Sequence, residues 1–152
     1  MPTPSPQRPP GTSALPRDRL PLDVAWMLPR HPRSVGRARR RLRQQLDAWK
    51  VPEALTETAV LLLSELMTNA YQHARATPGR EILTRCELSA ERLRIEVSDA
   101  GDTLPEPRTV TVEEESGRGL ALVAALSDNW GAQLRSCGIG KTVWCEWALP
   151  RE

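Results

Sequence analysis

The fourteen residues from Leu61 to Ala74 are apolar enough to form a buried helix, yet polar side chains recur within them at four-residue intervals. These side chains are Glu65, Asn69 and His73. In an α-helix that spacing stacks them on one stripe. An amphipathic helix with a solvated polar face is one interpretation. Leucines around the rest of the helix favour a second, in which the helix is largely covered and its polar groups need partners.

The types of side chain on this stripe point to phosphoryl transfer. A carboxylate beside a carboxamide provides one oxygen that takes a proton or orients a hydroxyl, and one that holds Mg²⁺. The sequence therefore marks Glu65 as a candidate catalytic residue and Asn69 as a candidate metal ligand.

Chain length and proline content indicate one domain preceded by a tail. The chain has 152 residues, and its first thirty-two hold nine of the fourteen prolines. With almost nothing apolar to bury, residues 1–17 are predicted to be a disordered tail. Residues 18–150 are predicted to form the domain.

Hydropathy and cysteine content argue against a membrane protein or a secreted one. No apolar run approaches the roughly 18 residues of a membrane span, and no secretory segment opens the chain. We therefore expect a soluble, cytoplasmic protein. Cys86, Cys137 and Cys145 are odd in number and fit no metal-ligand spacing, which favours reduced structural thiols.

Charge is distributed unevenly along the chain. Residues 1–50 carry eleven basic and three acidic side chains, and the remainder carries ten and sixteen. A cluster of arginines could bind nucleic acid or an acidic partner; it comprises Arg37, Arg39, Arg40, Arg41 and Arg43. Because the segment contains no recognisable nucleic-acid module, a solvated helix face is the favoured interpretation.

Hydrophobic periodicity predicts the element order β, α, α, β, β, loop, α, β, β. The predicted elements are an edge strand over residues 20–26, a helix capped by Ser34 and running to Trp49, a helix from Pro52 to Ala74, strands over 82–88 and 93–97, a short helix containing Leu120, Val123 and Leu126, and strands over 132–135 and 143–149. The predicted fold class is α+β, a two-layer sandwich. A mainly antiparallel mixed sheet of about five strands would be covered on one face by three helices.

Two glycine-containing segments add to the candidate site. Asp99 and Gly101 follow a strand, either as a simple turn or as a site where Asp99 accepts from an exocyclic amine and Gly101 admits a flat ring. Gly117 and Gly119 precede an apolar helix, either as a flexible entry or as an anion cradle of exposed amides. In the second case residues 102–116 would be a mobile lid over phosphates.

The three segments together resemble the motifs of the GHKL superfamily, with its Bergerat-type ATP-binding fold, and most of all the anti-sigma factor serine kinases. Residues 65–73 resemble the N box, 99–101 the first glycine box and 117–120 the second. The resemblance implies that Glu65 acts as base, Asn69 holds Mg²⁺ and Asp99 binds the adenine amine. It also implies that Gly117 and Gly119 present amides to the phosphates and that Thr142 helps to close the adenine pocket.

Two positions depart from the family pattern. Thr103 stands where the first glycine box has its second glycine. Glu115, preceded by Glu113 and Glu114, stands where kinase members have an arginine that meets the γ-phosphate. Carboxylates there would repel a triphosphate unless they point away. Arg118 is the candidate substitute for that arginine.

The resemblance implies a Mg²⁺- and ATP-dependent serine/threonine kinase that phosphorylates an anti-anti-sigma (STAS-type) partner and sequesters a sigma factor. A homodimer is also in keeping with it. One alternative is a binding module of the same fold that senses ATP without transferring phosphate. A basic-helix nucleic-acid binder is the third.

Overall fold

The computed structural model describes residues 20–73, 81–99, 113–134 and 140–150, without the side chains of residues 73 and 113–118. In chain order the elements are β1 Leu22–Pro29, α1 Pro32–Ala48, α2 Glu53–His73, β2 Glu81–Leu88, β3 Arg92–Asp99, α3 Glu113–Leu126, β4 Asn129–Leu134 and β5 Lys141–Ala148. The predicted order of strands and helices is confirmed. The predicted tail of residues 1–17 lies outside the described residues.

The strands form one five-stranded sheet in the order β1-β2-β3-β5-β4. All the pairings described are antiparallel, so the predicted α+β class and open sheet are confirmed, with no parallel pair among the described strands. β1 lies at one edge, as Pro21 just ahead of it led us to expect, since proline cannot donate to a ladder. The edge at the other end of the sheet is β4.

One face of the sheet is covered by the helices and carries the hydrophobic core. Alternate side chains of the central strands point to this face, among them Leu93, Ile95 and Val97 of β3 and Cys145 of β5, all buried. Leucines of α1 and α2 pack against them. Burial raises the pKa of the Cys145 thiol to about 12 and also raises that of the buried Cys86 thiol, so these two thiols stay protonated.

The other face of the sheet carries a lattice of charged side chains. Arg94 donates from Nε to Glu96 Oε1 over 2.8 Å and from Nη1 to Glu146 Oε2 over 3.4 Å. Its guanidinium also lies 4.2 Å from the centroid of the Trp144 ring. On the other side of Glu96, Arg85 pairs with Asp23. Polar alternation thus keeps this face in solvent while the first face stays covered.

The start of α1 differs from the prediction. His31 is the N-cap, and its Nδ1 accepts from the Arg33 amide over 3.0 Å. Ser34, predicted to cap the helix, lies inside it and is buried, and its hydroxyl donates to the Pro29 carbonyl. Pro32 sits in the first turn, where a missing amide hydrogen is harmless. The helix therefore begins three residues earlier than a cap at Ser34 indicated.

The third helix also begins earlier than predicted. α3 starts at Glu113, so part of the expected lid of residues 102–116 is helical. Gly117 and Gly119 are its fifth and seventh residues rather than the residues ahead of its first turn. Three consecutive glutamates in the first turn favour this start, because carboxylates interact well with the positive end of a helix.

Candidate functional site

α2 positions the two residues on which the candidate chemistry depends. Glu65 is half-buried and Asn69, one turn later, is only 9% exposed. Leu66 and Met67, which lie between these two residues in sequence, are buried. Met67 Sδ accepts a hydrogen bond from Thr84 Oγ1 of β2 over 3.4 Å. The hydrophobic side of α2 therefore fixes the direction of its polar stripe. His73 completes the stripe in sequence, but its side chain lies outside the described residues.

α3 approaches Glu65 so closely that a side chain on residue 119 would press on the Glu65 carboxylate. A Cβ placed on residue 119 would lie 3.1 Å from Glu65 Oε2. That separation is tighter than nine in ten Cβ contacts in proteins, so any residue other than glycine at position 119 requires the carboxylate to move by a few tenths of an ångström. The structure thus brings together Glu65 of the predicted N box and Gly119 of the second glycine box, which are 54 residues apart in sequence.

Asp99 ends β3 on the same face of the sheet as the helices. Its side chain continues the alternation of Leu93, Ile95 and Val97 and is 3% exposed. Val97 is the cross-strand partner of Thr84, which contacts Met67 of α2. This chain of contacts places the end of β3 beneath the part of α2 that carries Glu65 and Asn69.

Thr142 does not join Asp99. It pairs with Ser98 in the β3–β5 ladder, and their hydroxyl oxygens lie 2.7 Å apart. Because neighbouring strand residues point to opposite faces, Thr142 and Ser98 lie on the face away from the helices. The structure therefore separates the expected adenine-pocket threonine from the expected adenine-binding aspartate.

Sequence reasoning missed the residue that does lie across from Asp99. Lys141 is the cross-strand partner of Asp99, shares its face and is also 3% exposed. Only the register between β3 and β5 distinguishes it from Thr142, its neighbour in sequence. The signal available in the sequence was a lysine just ahead of a predicted strand, in a chain with only two lysines.

The remaining predicted residues are only partly described. Gly101 and the side chain of Arg118 lie outside the described residues, so their roles stay predictions. The amide of Gly117 lies beyond the first four residues of α3, whose N–H groups are the ones left free at a helix start. A cradle made by the Gly117 and Gly119 amides would therefore need these first turns to open.

The described residues fit a magnesium-bound nucleotide in their chemistry. Glu65 and Asn69 offer side-chain oxygen atoms, and oxygen is the ligand type that Mg²⁺ takes from proteins, phosphates and water. Among the described residues, no group of three or more His, Cys, Asp or Glu side chains is arranged to hold a metal. A metal here would accordingly be held through Asn69 together with the ligand's own phosphates.

The described part of α1 carries the basic cluster at the surface. Arg37, Arg39 and Arg41 are exposed, while Arg43 pairs with Glu57 of α2 over 3.1 Å. A hollow of about 260 Å³ lies beside them, with Val60 of α2 in its lining. Such an exposed helix face agrees with the favoured interpretation of the arginine cluster. No helix in the described ranges has the length and apolar character to cross a membrane.

Among known proteins, this chain is similar to two longer ones, of each of which it spans about a third. A blue-light-activated histidine kinase 2 from Erythrobacter litoralis (strain HTCC2594) is 33% identical over 101 residues, which cover 65% of this chain and 29% of that protein. The solved structure of the RsbU and RsbW domains of a Mycobacterium tuberculosis protein superposes with a TM-score of 0.65 at 20% identity. The match covers 83% of this chain and 31% of that one, and it shows a shared fold.

The family assignment comes from a match over most of the domain. The sequence model of the histidine kinase-like ATPase domain matches residues 28–147, from the end of β1 to the end of β5. That span includes Glu65, Asn69, Asp99 and Gly119, the residues around which the site is built. The chain belongs to the histidine kinase-like ATPase domain family.

Proposed function

We propose that this protein is a Mg²⁺- and ATP-binding anti-sigma regulatory factor that phosphorylates a serine or threonine of an anti-anti-sigma partner of the STAS type and sequesters a sigma factor. The observation that carries the proposal is the approach of Gly119 to Glu65, which joins two motifs of a nucleotide site. Membership of an ATPase domain family supports the nucleotide. The solved structure that contains an RsbW domain supports the regulatory setting.

In this proposal Glu65 handles the proton of the attacking hydroxyl. A half-buried carboxylate can accept a hydrogen bond from a partner's serine and hold the serine oxygen in line with the phosphorus–oxygen bond that breaks. As the serine oxygen forms its bond to the γ-phosphorus, the bond from that phosphorus to the bridging oxygen breaks and ADP departs. The hydroxyl proton passes to Glu65 Oε2. ATP supplies the phosphoryl group.

Asn69 and Asp99 would hold the nucleotide at two ends. The Asn69 carboxamide oxygen is the proposed protein ligand for Mg²⁺, and burial limits the conformations of that side chain. Asp99 would accept from the exocyclic amine of adenine, because an ionised carboxylate offers acceptors alone. Gly101, Gly117 and Arg118 complete the proposed nucleotide-binding set by resemblance. Thr142, which the resemblance also implies, lies on the other side of the sheet from Asp99 and is left out of the proposed set.

The test is to incubate the purified chain with labelled ATP, Mg²⁺ and a candidate STAS-type antagonist. The wild type should transfer label to a hydroxyl of the antagonist. Glu65→Ala should keep ATP affinity and lose transfer, since the carboxylate acts on the hydroxyl and not on the nucleotide. Equal loss of binding and transfer would mean that Glu65 holds the nucleotide instead. Transfer at the wild-type rate by the Glu65→Ala protein would remove Glu65 from the chemistry.

A second candidate function is an ATP-sensing module of the same fold without phosphotransfer. Glu115 favours it, because a carboxylate stands in the first turn of α3 where an arginine would meet the γ-phosphate. The wild type would then bind ATP and label no antagonist. Glu115→Arg separates the explanations. A gain in ATP affinity or in transfer would assign the defect to charge repulsion, and no change in either would show that Glu115 is harmless.

A further inference from the structure

Lys141 lies on the sheet face that the helices cover, and the proposed mechanism gives it no role. It opens β5 directly across from Asp99, and both residues are 3% exposed. The face on which Lys141 lies is shown by Trp147, six residues further along the same strand. The Trp147 indole Nε1 donates to the Leu126 carbonyl of α3 over 2.7 Å. Residues 141, 143, 145 and 147 therefore all point toward the helices.

Because Asp99 and Lys141 are both buried, the interaction between their side chains has a large effect on energy. An ammonium group or a carboxylate taken out of water alone costs several kcal/mol, so buried charges occur beside opposite charges. Residues directly across an antiparallel ladder have Cβ atoms about 5 Å apart. Asp99 and Lys141 thus place an acceptor and a donor side by side at the same end of the sheet. A lysine ammonium only donates hydrogen bonds, and an ionised carboxylate only accepts them.

The same two groups match the edge of an adenine ring. Adenine carries an exocyclic N6 amine, which donates, next to ring nitrogen N1, which accepts. We propose, on the basis of the nucleotide-binding function above, that Lys141 donates to N1 while Asp99 accepts from the N6 amine, so that Lys141 selects adenine against 6-oxopurines. Hypoxanthine and guanine carry an oxygen at position 6 and a hydrogen on N1. Both atoms then face a group of the wrong kind.

Thr142 does not offer the same contact. Its hydroxyl lies on the other face of the sheet within hydrogen-bond distance of the Ser98 hydroxyl. A one-residue shift in the β3–β5 register would exchange Thr142 and Lys141, but it would also bring Trp144 into the core and turn Val143 and Cys145 outward. Val143 and Cys145 are both buried, which excludes that register.

Calorimetric titration of three proteins with three nucleotides tests the proposal. The proteins are the wild type, Lys141→Met and the control Lys50→Met, which alters the other lysine of the chain, an exposed one. The nucleotides are ATP, inosine triphosphate and 1-deazaadenosine triphosphate, in which carbon replaces N1. The wild type should bind the 1-deaza analogue about tenfold more weakly than ATP, because a hydrogen bond from a charged donor is lost.

The Lys141→Met protein should bind ATP about tenfold more weakly than the wild type and bind the 1-deaza analogue as well as ATP. Its preference for ATP over inosine triphosphate should shrink, and Lys50→Met should behave as the wild type. Equal binding of ATP and the 1-deaza analogue by the wild type would overturn the proposal. Tighter ATP binding by Lys141→Met would overturn it too, since Lys141 would then be a counter-ion that closes the site. A folded wild type that binds no nucleotide would instead refute the proposed function.

A second measurement uses the wild-type protein and needs no substitution on the sheet face that the helices cover. Two lysines in the chain give two side-chain ε signals in NMR spectra of protein labelled at lysine with ¹³C and ¹⁵N. ATP should shift the Lys141 signal, the 1-deaza analogue should shift it much less, and the Lys50 signal serves as the internal reference. Equal shifts of the Lys141 signal with both nucleotides would contradict a bond to N1, whether or not Lys141→Met folds.

Discussion

At the scale of single residues, the site depends on a glycine and a carboxylate that meet across two helices. Gly119 and Gly36 are both helical glycines, but of the two only Gly119 lies against the proposed catalytic side chain, Glu65. This contrast provides a matched pair of substitutions. Replacing helical glycine by alanine normally stabilises a helix by about 0.5–1 kcal/mol.

Gly119→Ala should separate stability from activity. The new Cβ would lie 3.1 Å from Glu65 Oε2, so the carboxylate must move by a few tenths of an ångström. We expect urea unfolding to show unchanged or slightly higher stability, and phosphotransfer to fall by roughly tenfold or more. Gly36→Ala meets only Arg40 Nη1 at 3.7 Å and should leave transfer unchanged. Full activity in the Gly119→Ala protein would show that Glu65 tolerates displacement.

Asn69→Ala should abolish the effect of Mg²⁺ on ATP binding. The buried carboxamide is the only protein ligand proposed for the metal, so its removal leaves the metal to phosphates and water. The measurement is ATP titration with and without Mg²⁺. Gln72→Ala removes an exposed amide from the same helix and should keep the Mg²⁺ response. A Mg²⁺ response in Asn69→Ala equal to that of the wild type would contradict the assignment.

Among the elements, contacts between neighbouring strands stabilise the open face of the sheet, which is the face away from the helices. Trp144 lies over the backbone of its cross-strand partner Gly131, and a Cβ on residue 131 would be 2.7 Å from Trp144 Cζ2. A glycine in an edge strand is explained here by the close approach of an aromatic ring.

Gly131→Ala should therefore destabilise the domain by about 1–3 kcal/mol, because the ring must leave its position over β4. Urea unfolding measures the loss. In a Trp144→Val background the same substitution should cost much less, since the obstructing ring is absent. Equal costs in the two backgrounds would show that the strain arises elsewhere.

Asp23 and Arg85 join β1 to β2 on this face. Hydrogen bonding to Arg85 lowers the pKa of Asp23 below its ordinary 3.8. The folded state thus binds this proton less readily than the unfolded chain does. The pair's contribution to stability is complete above the ordinary pKa and is lost as the pH falls through the lowered one.

Asp23→Asn should lower stability by roughly 0.5–1 kcal/mol at about pH 7, a small value because solvent screens two half-exposed side chains. The difference from the wild type should be smaller at about pH 2.5, which lies below the ordinary pKa, because the unfolded chain already binds the proton there. Urea unfolding at both pH values provides the measurement. A difference of the same size at both would mean that the substitution acts through something other than charge.

The sequence was sufficient for elements whose period is local, and insufficient where distant strands meet. Alternation in β2 and β3 and the apolar spacing of α2 predicted those elements nearly to their ends. Thr142 was predicted from the family resemblance alone, and Lys141 was missed. The face on which a residue at a strand start lies depends on pairing with β3, about forty residues away in sequence. The start of α3 was misplaced because glycine's low helix propensity suggested a loop, while the preceding glutamates favour a helix start.

At the scale of the whole molecule, the buried core extends from Leu28 to Leu149. Among the described residues, Leu20 and Leu22 are the first that pack against it. The sequence of residues 1–17 offers little apolar area for such a core. We therefore expect stability and nucleotide binding to belong to the segment that follows them.

Removal of residues 1–17 should leave the melting temperature and the ATP affinity of the protein unchanged. Proline-rich sequence of this composition has little apolar area to contribute to a core. Differential scanning calorimetry and ATP titration of the shortened and full chains provide the comparison. A fall of several degrees in melting temperature would show that these residues dock on the domain.

β5 carries two tryptophans whose side chains lie on opposite faces of the sheet. Trp144 lies under the Arg94 guanidinium on the open face, whereas the indole of Trp147 is bonded to the end of α3 on the covered face. Their fluorescence consequently reports on different events. Detachment of α3 from the sheet would change the emission of Trp147 and spare that of Trp144, whereas separation of β4 from β5 would expose Trp144. A single strand thus contains fluorescent probes for both faces of the sheet.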